Sequence, residues 1–426
     1  MPFFISLILA QAIGVAVALS ASRTEDESAY PRSWSATHAD ASNSDYSPTA
    51  GSPRLEPAWS RSFDGMINLG PTSDGKGQLY VTTSGEGCRL HALDRASGRT
   101  LWCVASLDRL AVASSPLLDA KGNLYLADGT AMHSFRPDGT LRWKSDIVGF
   151  PLSAQFTPDG NLIFITHVGV IHRLDRDTGR SVTSPLPLIP EPAFDASQGA
   201  LACMRGTRAC PSANTPAVDL RAGRFIFTFW TPGAPVAGIR SMKILPESES
   251  GGIVIDWTND TLPGGSAASP SLSADGERVY LTDNGGKLLA LDAGTGELAW
   301  SIDIGYSAGG SPSVSPEGII MPAGGGNAAL MAIRDLGDHA RLLWRREDLQ
   351  NRGIATQARD HLAYATVARG GGELDLVVVD TRTGEVLDRN PIPGKSMFTV
   401  GTTVDVDGTI YVPSIRGALH AFKPSR

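Results

Sequence analysis

Six of the eight tryptophans in this chain are spaced as if on a ruler. Trp59, Trp102, Trp143, Trp257, Trp300 and Trp344 fall at intervals of 43 and 41 residues, then, after a gap, 43 and 44. The phrase before them also recurs. Leu93-Asp94-Arg95-Ala96-Ser97-Gly98-Arg99-Thr100-Leu101-Trp102 returns as Leu291-Asp292-Ala293-Gly294-Thr295-Gly296-Glu297-Leu298-Ala299-Trp300. A period near 42 with strand–turn–strand content is the signature of a β-propeller.

Each unit reads as four antiparallel strands. Asp159-Gly160, Asp275-Gly276 and Asp407-Gly408 mark a first hairpin turn, and Asp138-Gly139, Thr178-Gly179, Thr295-Gly296 and Thr383-Gly384 a last one. Such pairs supply the positive φ that tight turns need. The units run 66–107, 108–149, 150–190, 212–264, 265–305, 306–349 and 350–394, and the last begins near 395. That last unit stops after its third strand, Ala418-Leu419-His420-Ala421-Phe422. Leu55–Phe63, with Trp59, is a fourth strand that owns no preceding unit. The two fragments complete each other, and a ring closed in this way has no open edge. The expected fold is all-β: eight four-stranded antiparallel blades, with an N-terminal strand completing the last blade. Seven blades is the alternative if 190–264 builds no blade of its own. Phe225–Trp230 and Gly252–Trp257 read as strands and favour eight. The third and seventh units lack the tryptophan, and insertions at 187–213 and 231–239 break the period.

The chain divides into 1–21, 22–51 and 52–426. Pro2–Leu19 is an apolar run followed by small residues, which reads as a signal peptide without the usual basic start. An uncleaved anchor is the alternative. Residues 22–51 are polar and read as an extended leader, partly ordered at most. Cleavage would leave no membrane span and place the propeller outside the cytoplasm, in the periplasm or secreted. Export permits disulfides. Cys203 and Cys210 would staple the insertion, and Cys88 and Cys103 lie on two strands of one hairpin, offset from direct pairing. The formal charge of −7 and the absence of a basic stripe argue against nucleic acid.

The phrase Leu-x-Ala-Leu-Asp-x-x-Thr-Gly-x-x-x-Trp resembles the repeat of the pyrroloquinoline-quinone (PQQ) propeller family, over about residues 55–426. Asn43-Ser44-Asp45-Tyr46-Ser47-Pro48 looks like the lead-in before the first blade of quinoprotein dehydrogenases. The resemblance implies that the tryptophans dock between neighbouring blades. It also implies an enzyme class in which PQQ stacks between a tryptophan and a disulfide of adjacent cysteines. There Ca²⁺ polarises the quinone and an Asp acts as base. This chain has no adjacent cysteine pair. The same repeat occurs in non-enzymatic relatives that serve bacterial outer-membrane β-barrel assembly, so fold alone does not select function.

Among candidate groups, His91, His133, His172 and His420 share one repeat position and so are spread around the ring. His167 lies in a different turn. Turns between second and third strands share a face with the loops that link blades, around one mouth of the channel. Asn68, Asp128, His167, Asp283, Asn284, Asn327, Arg352 and Arg416 are the candidate ligand-binding residues there. No Gly-x-Ser-x-Gly elbow occurs. The expected function is a non-catalytic binding or scaffold protein that takes a protein, peptide or small polar ligand on the channel face. The alternatives are a PQQ-dependent alcohol or sugar dehydrogenase with an altered cofactor site, using PQQ with Ca²⁺, and a metal-assisted hydrolase or lyase built around His167.

Overall fold

The computed structural model describes residues 29–192, 206–208, 211, 214–246 and 252–425. Eight antiparallel sheets form an eight-bladed propeller with almost no helix. Blade four is a full sheet of its own, Ala217–Asp219, Arg224–Phe229, Ala237–Ile244 and Ile253–Leu262, which removes the seven-blade alternative. The ring closes as the sequence implies. Leu55–Ser62 pairs antiparallel with Ala418–Pro424, placing Pro57 opposite Phe422 and Trp59 opposite Ala421.

The tryptophans dock where consecutive blades meet. Trp102 Nε1–H donates to Pro137 O at 2.9 Å, Trp143 to Arg176 O at 3.0 Å, Trp257 to Ala293 O at 2.9 Å and Trp344 to Thr381 O at 2.8 Å. Each acceptor lies in the last turn of the following blade. Each of these indoles also lies over the glycine of that turn, namely Gly139, Gly179, Gly296 and Gly384. Only a residue without Cβ lets the ring approach so closely. Trp300 meets a different turn and donates to the Asp335 carboxylate at 2.9 Å.

The two blades without the indole face blades without that turn. Counting from the turn glycine, Thr183 and Asp388 occupy the tryptophan position of blades three and seven. Blade seven faces blade eight, whose third and fourth strands, Ala418–Pro424 and Leu55–Ser62, are not joined by a hairpin. There Asp388 Oδ2 accepts the Leu55 N–H at 2.7 Å instead. Blade three faces blade four, whose last connection is the longer stretch between Ile244 and Ile253. The third strand of this blade is also altered. Arg173 stands where Ala92, Ala290 and Ala332 underlie indoles in other blades, and it pairs with Asp159 at 2.6 Å.

The polar leader, expected to be partly ordered at most, is largely buried between residues 34 and 47 and forms part of the ring. It winds past the innermost strands one blade at a time. The N–H groups of Ser73, Leu118, Val218, Leu272, Val314 and Gln357 donate to the carbonyls of Trp34, Ser35, Ala41, Ser42, Ser44 and Asp45. In blade three the Phe156 N–H donates to Tyr30 Oη at 2.9 Å. Tyr46–Ala50 then adds a parallel fifth strand to blade seven. Ala39, Asn43 and Asp45 take positive φ (73°, 54° and 45°), which bends the leader into a spiral. A composition-based reading missed this because the inner strands offer a row of backbone donors that must be satisfied whatever side chains lie opposite.

One disulfide joins Cys88 to Cys103 with a Cα–Cα distance of 5.7 Å, inside the range for a bridge. Cys203 and Cys210 lie outside the described residues. Among the described residues no helix is long and apolar enough to cross a membrane.

Candidate functional site at the mouth of the channel

Seryl and threonyl hydroxyls of the innermost segments link neighbouring blades around the axis. Ser115 Oγ donates to Gly70 O at 3.0 Å, Ser271 Oγ to Pro312 O at 2.9 Å, Thr356 Oγ1 to Thr402 O at 2.7 Å and Thr403 Oγ1 to Pro71 O at 2.7 Å. The leader spans the seam between blades three and four. Asn43 Nδ2 donates to Thr215 O and Pro270 O, both at 3.0 Å, and Asn43 Oδ1 accepts from Gln155 at 2.8 Å.

The leader also fills the axis. His38 Nδ1 meets Asp45 Oδ2 at 2.8 Å, and His38 Nε2 lies 3.2 Å from Ser269 Oγ and 3.5 Å from Ser311 Oγ. Thr37 hydrogen-bonds Ser153. Burial pushes the Asp45 carboxyl above its ordinary range, against the pull of His38. The order Asp–His–Ser is that of a nucleophile relay. Here both hydroxyl oxygens accept backbone N–H groups, from Thr215 and from Ser269, and both serines are buried. The bonds therefore tie the leader to blades five and six. The sequence signal for this plug was the lead-in phrase, which gives no hint of which blades it touches.

The leader engages the inner strands at the ends that run into the first hairpin turns. Turns between second and third strands, and the loops between blades, lie at the opposite mouth. The candidate residues belong to that mouth. Asp128 accepts from the N–H groups of Thr130 and Ala131, both at 2.9 Å, and of Asp108 at 3.2 Å, and from His133 Nε2 at 3.0 Å. Burial raises its pKa, but these bonds outweigh burial and hold it well below the usual carboxylate range. His167 is buried, stacks on Phe150 at 4.1 Å, and accepts the Phe150 N–H on Nδ1 at 3.1 Å. Burial pushes its pKa down to about 4, so the ring is neutral at pH 7. Asp283 accepts the Lys287 N–H at 2.7 Å. Asn284 bonds Ala267 N at 3.2 Å and Gly264 O at 2.8 Å. Arg352 donates to Gly325 O at 3.2 Å and Gln350 at 3.0 Å. Asn68 is half-buried, and Asn327 and Arg416 are exposed.

The mouth therefore presents a polar rim whose carboxylates largely serve their own turns. Among the described residues no three His, Cys, Asp or Glu side chains come together as a metal site. The four repeat-position histidines are held locally, for example His91 by Thr83 at 3.2 Å and His420 by Ser60 at 2.9 Å. The ruler tryptophans are committed to blade seams, and the described disulfide joins residues 15 apart. These residues do not fit a quinone sandwiched between indole and vicinal disulfide beside a Ca²⁺. Sequence reasoning also passed over Met397 and Phe398 in the loop entering blade eight. Met397 is 65% exposed, and Phe398 reaches Gly309 in the loop between blades five and six.

Eight blades, five of whose seams set a tryptophan on a turn glycine, define a PQQ-like repeat propeller. The chain belongs to the PQQ-like β-propeller family. It is 33% identical over 408 residues to protein Rv3035 of Mycobacterium tuberculosis, covering 93% of this chain and 97% of that protein. A family profile described as outer membrane protein assembly factor BamB matches residues 247–426. Two solved structures share the fold. BamB from Moraxella catarrhalis is 15% identical with a TM-score of 0.60, covering 87% of this chain and all of that one (100%). Quinohemoprotein alcohol dehydrogenase from Comamonas testosteroni is 16% identical with a TM-score of 0.64, covering 93% and 81%.

Proposed function

We propose that this protein is an extracytoplasmic binding or scaffold propeller that engages a protein, peptide or small polar ligand at the mouth opposite the leader. The observation that carries this reading is the filled axis. Thr37, His38, Asn43 and Asp45 occupy the shaft from the other side, so a ligand is left with the rim. On that rim Asn327, Arg416 and Met397 are exposed, and exposed methionine adapts readily to a partner surface. A location outside the cytoplasm is supported by the apolar N-terminal run and by the Cys88–Cys103 bridge, which suits an oxidising compartment. The similarity to an outer membrane assembly factor agrees with a protein partner.

Photo-crosslinking residues placed singly at Asn327 and Arg416, and for comparison at Glu277 in a first hairpin turn on the leader face, test this in the native host. A defined adduct from the mouth positions alone is the expected result. Adducts from Glu277 only would overturn it. PQQ with Ca²⁺ is the second arm: a saturable rise in melting temperature with dye-linked alcohol oxidation would make the protein an oxidoreductase instead.

A further inference from the structure

The two seams without a repeat indole lie opposite each other. Seam three–four, at Thr183, and seam seven–eight, at Asp388, stand four blades apart and divide the ring into halves. Trp59, Trp102 and Trp143 tie blades eight, one, two and three to one another, each through an Nε1–H bond to the next blade. Trp257, Trp300 and Trp344 tie blades four, five, six and seven in the same way. At the two remaining seams that directed bond gives way to apolar packing. Ile163 and Ile171 of blade three share a core cluster with Val218 and Phe225 of blade four, and Leu376 and Val378 of blade seven share one with Val404 and Ile410 of blade eight. Packing of this kind is non-directional and allows small sliding movements. The leader crosses both seams. Its carbonyls at Trp34 and Ser35 serve blades one and two, and those at Ala41, Ser42, Ser44 and Asp45 serve blades four to seven. Asn43 spans the first crossing, from Gln155 of blade three at 2.8 Å to Thr215 O of blade four at 3.0 Å. The second crossing follows the leader. Ser52 N–H donates to Tyr364 Oη of blade seven at 2.7 Å, and Leu55 N–H, at the head of the outer strand of blade eight, donates to Asp388 of blade seven at 2.7 Å. Ala41 and Trp34 also join the apolar clusters of seams three–four and seven–eight respectively.

We propose that the ring is a pair of rigid half-rings hinged at these opposite seams, with the leader as the strap that limits their rocking. The bond from Thr356 Oγ1 to Thr402 O at 2.7 Å lies close to the axis and serves as the pivot of seam seven–eight. Rocking about the line through the two seams changes the width of the mouth. Asp128 and His167 stand on one half of its rim, and Asp283 and Arg352 on the other. The hinge is a property of the ring and does not depend on what the mouth binds.

The test is a set of pulsed spin-label distance measurements on the full chain, with nitroxides carried on non-natural residues so that the native cysteines stay untouched. Ser60, Lys144 and Thr258 are exposed and each follows the tryptophan of its outer strand, in blades eight, two and four; Leu342 is exposed on the outer strand of blade six. The pair Lys144–Ser60 spans two blades within one half. The pairs Lys144–Thr258 and Ser60–Leu342 also span two blades, but cross seam three–four and seam seven–eight. The expected result is a distance distribution at least twice as wide for each crossing pair as for the pair within a half. Asn43→Ala, which cuts the strap at seam three–four, should widen Lys144–Thr258 further and leave Lys144–Ser60 unchanged. Equal widths for all three pairs in the wild type, or equal widening of Lys144–Thr258 and Lys144–Ser60 in Asn43→Ala, would overturn the proposal. If Asn43→Ala does not fold, the wild-type widths decide.

Discussion

The indole of Trp59 lies directly over Gly98. A Cβ at that glycine would come within 2.6 Å of the ring, and Trp59 Nε1–H donates to Arg95 O at 3.1 Å in the same turn. This contact joins the N-terminal strand of blade eight to blade one, beside the pairing of Leu55–Ser62 with Ala418–Pro424 that shuts the ring. Gly98 also has φ +69°. Gly98→Ala should therefore cost about 2–4 kcal/mol, from overpacking and left-handed backbone together. Gly371→Ala is the control. It has φ +61° but no atom within 4 Å of its would-be Cβ, so only the backbone cost of about 1–2 kcal/mol remains. Denaturant titration of both variants measures the difference.

Asn43 should be the most costly polar residue of the leader to remove. Its side chain bonds two carbonyls and one amide from blades three, four and five, all buried. Asn43→Ala leaves these partners unsatisfied, and a loss of about 3 kcal/mol is expected. Hydrogen exchange should rise first at Ala217–Asp219, the inner strand beside the seam that lacks an indole. Uniform exchange across all blades would argue against a local role.

His172 gives a pH prediction. It is buried, stacks on Phe164 at 5.1 Å, and burial pushes its pKa down to about 4. The unfolded chain takes up a proton below about pH 6.5 that the folded chain refuses until about pH 4. The group therefore contributes no pH dependence above 6.5 and lowers stability as pH falls through that window. His172→Phe keeps the stacking and removes the titration. Its stability relative to wild type should improve between pH 7.5 and pH 4.5. Parallel stability curves across that range would refute the assignment.

The Cys88–Cys103 bridge closes a loop with a sequence separation of 15. Loop entropy assigns it about 3 kcal/mol. Cys88→Ser with Cys103→Ser should shift the denaturation midpoint accordingly, and reductant should reproduce the shift in the wild type without affecting the double variant.

Much of the ring was legible in the sequence because its signals are local. The interval between tryptophans, the Asp-Gly and Thr-Gly turns and the orphan strand at Trp59 each report on residues within one hairpin. Their agreement gives blade number and closure. The missing tryptophans at Thr183 and Asp388 were visible too, but not their setting. What they face is the next blade's outer connection, which a single unit does not contain. The candidate residues at the mouth were placed by their turn positions. What each does was not legible: Asp128 is spent on backbone amides and His133, and the His167 ring lies flat against Phe150.

The amino-acid pattern by itself determined the eightfold repeat and its seal, since strand period and turn chemistry act over a few residues. Only the tertiary structure decided what occupies the axis. The leader is held mainly through its backbone carbonyls, by N–H groups from six blades that any residue could supply. The asparagine and histidine that complete the plug meet partners more than a hundred residues away. Those meetings exist only once the ring has formed.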